Sequence, residues 1–355
     1  MFITVMGRSP LRKGVQHSRQ RASRVTIADI ARTAKVAKSS ASYALNGRPG
    51  VADATRERVV AVAEAMGWRP NCAARALSAA RANAVGLVLG QPTDTLGFDT
   101  FHLRFIAGLE QELSRHDLAL LLRVVADPQE EVEVHRRWAA EHRVDGVILF
   151  NLRIVDPRAT ALDGMGLHAI AVGAPNGITP AVWVDDEAAM VAAVEHLVSM
   201  GHRRIARVGG NPDFLYTEVR RKAFFAAARA ARLDPQDVVN SSLRGEAATR
   251  ELLGSPRPPT GIVYDDDASA AGAVAVARRL GYSIPDDLSV IGWDDSLLCE
   301  LVQPPLTALH RDILRYGGLC ARQLVMVIEG QQPGDLQGTE TKLVVRGSTG
   351  PPRTR

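Results

Sequence analysis

The sequence predicts a small all-helical head followed by a larger α/β body of two parallel-sheet lobes. Three observations carry this. Residues 25–46 hold two short segments of helical apolar periodicity with a tight turn between them, and from Ala84 onward short apolar runs alternate with amphipathic segments. The charge also divides: residues 1–81 hold 15 Lys and Arg against 4 Asp and Glu, a net +11, while the rest hold 28 against 35, a net −7. A basic head on an acidic body points to a polyanionic partner for the head alone. At 355 residues the chain is long enough for more than one core.

In the head, VTIADIARTAKVAKSSASYALN reads as two helices. Thr26 is placed to cap the first, with Asp29 completing a capping box, and Ile27, Ile30, Ala31 and Ala34 form its apolar face. Val36 fills the turn, and Ala41, Ala44 and Leu45 line the second helix. The small Ala31 permits the close, steep crossing of a helix-turn-helix. A third helix, Asp53 to Met66, closes the core with Val59, Val62 and Ala63. The following RPNCAARALSAARAN is too small and weakly apolar to fold alone, and reads as a linker that becomes helical with a partner.

In the body, AVGLVL (84–89), LALLLRVV (118–125), GVILF (146–150), AIAV (169–172), IARVGG (205–210), GIVYD (261–265) and SVIGWD (289–294) read as strands. Helical periodicity fills 101–116, 128–142, 187–201, 216–232 and 268–281. Apolar strands alternating with helices imply parallel sheets covered on both faces. There are too many strands for one ordinary sheet, so two lobes are expected.

Cys72, Cys299 and Cys320 form no C-x-x-C pair and have no His at zinc-finger spacing, which argues against disulfides, structural zinc or any other metal. The first residues are too short and wrongly ordered for a signal peptide. No apolar run nears the roughly 18 residues of a membrane span, so a cytoplasmic protein without a membrane partner is expected. No G-x-G-x-x-G follows the first strand, no G-x-S-x-G occurs, and the run Asp265-Asp266-Asp267 splays its carboxylates at a strand end. An oxidoreductase or hydrolase is therefore not expected, nor is a cofactor.

Several segments together carry a resemblance. VTIADIA, YALNGRPGV, TRERV and GWRPN in the head, and VDGVILF, EHLVSMGHRRIARVGG, IPDDLSVIGWDD, PPLTALHRD and LVVRGST in the body, follow one another in the order and spacing of the lactose-repressor family. The chain resembles that family over about residues 25–349. The resemblance implies a helix-turn-helix domain with a hinge helix, then two Rossmann-like lobes of the periplasmic-binding-protein type, joined by three crossing strands with a ligand between them. The boundaries expected are a basic extension (1–24), the DNA-binding domain (25–70), the hinge (71–82), the effector-binding and dimerisation domain (83–349) and a tail (350–355). It implies a sequence-specific regulator, a repressor first and an activator second, controlled by a small sugar-like effector. A solute-binding protein of the same core fold is the alternative, and the basic head argues against it.

In a helix-turn-helix, the start of the second helix reaches base edges while nearby hydroxyls and amides hold phosphates. By register, Lys38, Ser39 and Tyr43 are the base readers, and Thr26, Ser42, Asn46 and Thr55 the phosphate contacts. Tyr43 stands where many family members have Arg, which removes a bidentate contact to guanine. Lys35 and Ala37 replace the usual turn Gly and capping Ser, each at a cost of about 1 kcal/mol. In the linker, the resemblance makes Leu77 a minor-groove wedge, with Ala74 its small neighbour and Asn71 and Arg75 polar contacts. Packing of Leu77 on the body is the alternative.

Ligands in such sheets bind beyond the carboxyl ends of the strands. Asp294 and Asp266 follow two strands of the second lobe, and Arg220, four residues before Phe224, matches the family's ligand-binding arginine. From the first lobe, Phe101 and the loop Gln91–Asp99 match the ligand-facing segment. The alternatives are a helix cap for Asp266, a turn cap for Asp294 and a core position for Phe101. Gly173-Ala174 and Glu246-Ala247 lack contacts that some family members make there. A sugar, a sugar phosphate and a nucleobase all remain compatible. The hinge mechanism needs a homodimer, and GPPRTR carries no tetramerising heptad.

Overall fold

The computed structural model describes residues 25–68, 81–90, 100–126 and 128–353. The chain divides into two compact units, Met1–Ala79 and Ala80–Arg355.

The first unit packs α1 (Ile27–Thr33), α2 (Lys38–Leu45) and α3 (Asp53–Ala65) around Ile30, Ala31, Ala34, Ala41, Ala44, Val59 and Ala63. Ile27, Val36, Leu45 and Val62 close the core from its edge. The capping box forms as expected: Asp29 N donates to Thr26 Oγ1 (3.4 Å) and Thr26 N donates to Asp29 Oδ2 (3.0 Å). Lys35 takes the left-handed backbone at φ 53, and Ala37 is the N-cap of α2 with no side-chain cap bond.

The second unit is built by a chain that passes between its lobes three times. The first lobe begins with β1 (Ala84–Gly90), α4 (Thr100–Leu113), β2 (Ala119–Val125), α5 (Pro128–Ala140), β3 (Gly146–Leu149), α6 (Arg158–Gly164), β4 (His168–Val172) and β5 (Ala181–Trp183). The chain then crosses and forms α7 (Asp186–Ser199), β6 (Ile205–Val208), α8 (Leu215–Ala230), β7 (Val238–Ser241), α9 (Gly245–Leu253), β8 (Gly261–Tyr264), α10 (Asp267–Arg279), β9 (Ser289–Asp294), α11 (Leu297–Leu301) and β10 (Thr307–Arg311). A second crossing at Asp312 returns it to the first lobe for α12 (Ile313–Ile328) and β11 (Leu336–Gln337), and a third delivers β12 (Thr341–Val344). The sheet orders are β11-β5-β4-β3-β1-β2 and β12-β10-β9-β8-β6-β7, parallel except where β12 pairs antiparallel with β10.

The loops after β3 and β6 join the lobes. Leu215 N donates to Leu152 O (2.8 Å) and Ile154 N to Asp213 O (3.1 Å), while the Arg153 guanidinium lies 3.6 Å from Asp213 and over the Phe214 ring. The carboxyl ends of the two sheets therefore face one another.

Two expectations are corrected. The helix expected over 101–116 ends at Leu113, and a 3-10 turn, Ser114–His116, leads into Asp117 at φ 55. The run 118–125 is an edge strand rather than a buried one: among the described residues β2 pairs only with β1, and Leu122 is 44% exposed. Of the segments left unassigned, α12 is the largest. It packs on α4 so closely that a Cβ on Gly108 would lie 1.9 Å from Leu314 O, and one on Gly317 2.2 Å from Phe105 O. Among the described residues no helix is long and apolar enough to cross a membrane, and no cluster suits a metal ion.

Candidate nucleic-acid face and ligand cleft

On α2, the buried Ala41 and Ala44 fix the opposite face outward. That face carries Lys38 and Ser39 in the first turn, both exposed, then Ser42, the 43% exposed Tyr43 and the C-cap Asn46. Asn46 Nδ2 donates to Ser42 O (2.9 Å), which orders the end of the helix. Thr26 is exposed and its hydroxyl donates to Asp29 Oδ2 (2.7 Å); Thr55, half-buried, lies in the first turn of α3. Arg56 fastens the loop between α2 and α3 by donating to Ala44 O and Arg48 O. The linker candidates Asn71, Ala74, Arg75 and Leu77 and the loop 91–99 lie outside the described residues.

In the second unit, three guanidiniums alternate with three carboxylates at the carboxyl end of the second-lobe sheet. Arg207, on β6, donates from Nε to Asp265 Oδ1 (2.9 Å) and from Nη1 to Asn240 Oδ1 (2.8 Å), and its Nη2 pairs with Asp265 Oδ2. Arg220, on the second turn of α8, donates from Nη1 to Asp265 O (3.1 Å) and from Nε to Asp186 Oδ1 (3.0 Å). Its Cζ lies 3.9 Å from the Trp293 ring centre and 4.9 Å from that of Tyr216. Burial works against the Arg220 charge, but the carboxylates of Asp186, Asp265 and Asp294 outweigh it and hold its pKa above the ordinary value.

Arg311 completes the row. Its Nε and Nη2 both lie 2.5 Å from Asp294 Oδ1, its Nη1 lies 3.9 Å from Asp186, and its Cζ stands 4.9 Å over the Phe101 ring of the first lobe. Asp294 and Asp295 are consecutive left-handed residues at φ 77 and 52, a strained turn held by Arg311 on one side and by Arg346 (2.6 Å to Asp295) on the other. Phe101 is half-buried and also packs against Phe105 and Phe150.

The structure thus brings Arg220, Asp294 and Phe101 to one region. Asp266 stands apart: it is exposed and caps α10, with Oδ1 accepting from Ser269 N and Oδ2 from Ser269 Oγ, both at 2.7 Å. Its neighbours Asp265 and Asp267 are buried instead. Burial, then the nearby Asp294 charge, pushes the Asp267 carboxyl up to about 7. Asp186, Arg207, Trp293 and Arg311 were missed in the sequence. The only local signal was an ionisable residue inside or ending an apolar strand, as in IARV and TALHR.

Residues 26–71 match the bacterial regulatory proteins of the lacI family, and residues 194–349 match a periplasmic binding protein-like domain. The HTH-type transcriptional regulator AglR of Rhizobium meliloti (strain 1021) is 32% identical over 92% of this chain and 95% of its own length. A solved complex of the transcriptional regulator CelR with cellobiose is 29% identical, covers 92% of this chain and all of its own, and superposes with a TM-score of 0.70. The lac repressor dimer bound to operator and the anti-inducer ONPF, 22% identical over 92% of this chain and 99% of its own, shows the same fold with a TM-score of 0.78. Head and body together place the chain in the lacI family of bacterial regulatory proteins, DNA-binding transcriptional regulators and not enzymes.

Proposed function

We propose that the chain binds an operator as a cytoplasmic homodimer and that a sugar or sugar derivative in the cleft between its lobes sets that affinity. The observation that carries the reading is the meeting of Arg220, Asp294, Trp293 and Phe101 where the two sheets face each other. Fixed carboxylate and guanidinium groups beside aromatic faces suit a ring bearing several hydroxyls, each of which both donates and accepts. CelR, a relative of this architecture, is solved with cellobiose, which makes that disaccharide the first probe.

Lys38, Ser39 and Tyr43 read bases in this proposal, and Ser42, Asn46, Thr26 and Thr55 hold phosphates; Asn71, Ala74, Arg75 and Leu77 act in the linker. Arg220, Asp294 and Phe101 hold the effector, and Asp266, engaged in capping α10, takes no part. A ligand shifts operator affinity only by its differential affinity for two lobe arrangements, commonly about 1 to 3 kcal/mol. Thermal unfolding of the full chain against neutral sugars, sugar phosphates and nucleobases, followed by operator selection with and without the hit, tests it. A ligand that stabilises the chain and shifts operator affinity is expected. Stabilisation without any such shift would overturn the regulatory role of the cleft.

A further inference from the structure

We infer that Asp294, by neutralising Arg311 with Asp186 beside it, is a specificity-determining residue that closes the cleft to anionic ligands and restricts it to uncharged polyhydroxy molecules. The inference rests on the proposed cleft and deepens it.

A guanidinium recruits a phosphate or carboxylate when its charge is uncompensated. In the row Arg207, Asp265, Arg220, Asp186, Arg311 and Asp294, each positive group already has a carboxylate of the protein at 3.0 Å or nearer. Three charges of each sign cancel. The deciding pair is Arg311 and Asp294: Arg311 sits between Asp294 and Asp186, at 2.5 and 3.9 Å, and turns one face to the Phe101 ring. Its side chain is 8% exposed, and two of its three nitrogens, Nε and Nη2, are held by Asp294 Oδ1. A sugar hydroxyl can join an existing Arg–Asp pair by donating to the carboxylate and accepting from the guanidinium. A phosphoryl group would have to displace Asp294 or Asp186 and leave a carboxylate unmatched beside it, which is costly in a desolvated site.

The test uses the full chain with inorganic phosphate, glucose 6-phosphate and cellobiose as probes, against chloride at equal ionic strength. In the unmodified chain neither anion should raise the melting temperature or bind saturably. Asp294→Asn leaves two guanidiniums sharing Asp186, so phosphate should bind this variant about tenfold more tightly or better, and the double variant Asp294→Asn/Arg311→Gln should lose that gain. Saturable binding of phosphate or glucose 6-phosphate by the unmodified chain, abolished by Arg311→Gln, would overturn the inference while leaving the effector cleft standing. An Asp294→Asn chain with no gained phosphate binding would overturn it as well. If cellobiose and other neutral sugars fail to bind while Asp294→Asn gains phosphate, the neutralisation of Arg311 by Asp294 stands and the sugar reading falls.

Discussion

Arg311 grips Asp294 through a single carboxylate oxygen, with Nε and Nη2 both 2.5 Å from Oδ1. The two residues end neighbouring parallel strands, β10 and β9, and Arg311 directly precedes the second crossing at Asp312. Asp186, 3.9 Å away, stands just after the first crossing. The carboxylate proposed to meet the effector is thus bonded to the residue that precedes the second crossing, and that residue also faces the carboxylate that follows the first.

The Arg207–Asp265 pair is buried, whereas Asp294 is partly exposed. Asp265→Asn leaves Arg207 uncompensated and should cost about 3 to 5 kcal/mol in urea unfolding. Asp294→Asn should cost about 1 kcal/mol, nearer the usual range for single substitutions. Equal costs would show that Arg207–Asp265 is no more structural than the cleft pair.

Asp267 gives a pH dependence of defined sign. Its carboxyl is raised from 3.8 to about 7 by burial and by Asp294, so the fold holds a proton that the unfolded chain releases. Its contribution to stability is full below pH 4 and is lost as pH rises from about 4 to about 7. His135 acts oppositely: burial lowers it from 6.5 to about 4, so its contribution is present above pH 6.5 and lost on acidification toward 4. Asp267→Asn, which keeps an acceptor for Ser296 N, should gain stability relative to the unmodified chain between pH 5 and pH 8. A stability difference between the two that does not change with pH would refute the raised carboxyl.

Ala37 leaves the first N–H groups of α2 without a side-chain acceptor. Ala37→Ser should strengthen the head by about 1 kcal/mol, read as slower amide exchange in α1 to α3 of the full chain. Unchanged exchange would mean that a Ser hydroxyl cannot reach the N3 amide there.

The head was legible because its determinants are local. Thr26 and Asp29 are three residues apart, Lys35 and Ala37 bracket the turn, and helical spacing alone selected Ile30, Ala41 and Val59. Arg220 and Asp294 were found by motif register. Their partners were not: Arg220 meets Asp186 across 34 residues and Arg311 meets Phe101 across a stretch of chain that includes the first crossing, distances that only topology closes. Strands β5 and β11, of 3 and 2 residues, are too short to show a period. Helix α12 was obscured by Gly317 and Gly318, both poor helix formers, of which Gly317 is required by backbone contact with α4.

That contact is open to direct test. Gly108→Ala would place a Cβ 1.9 Å from the Leu314 carbonyl oxygen, a backbone atom that cannot rotate away, whereas a Cβ on Gly318 meets its nearest neighbour at an ordinary 3.5 Å. Gly108→Ala should destabilise the chain by about 3 kcal/mol, and Gly318→Ala should be neutral or slightly stabilising through helix propensity. Similar urea midpoints for the two variants would contradict the close α4–α12 packing.

The central claim is that a ligand held by Arg220 and Asp294 controls DNA binding from a site that does not touch DNA. Its most direct test is operator affinity of the full chain with and without the ligand found by screening, measured in parallel for the unmodified protein and Asp294→Asn. The unmodified protein should shift its affinity by roughly 5- to 150-fold. Asp294→Asn should show no shift while binding operator without ligand within a few-fold of the unmodified chain. A normal ligand-dependent shift in Asp294→Asn would place the effector site elsewhere.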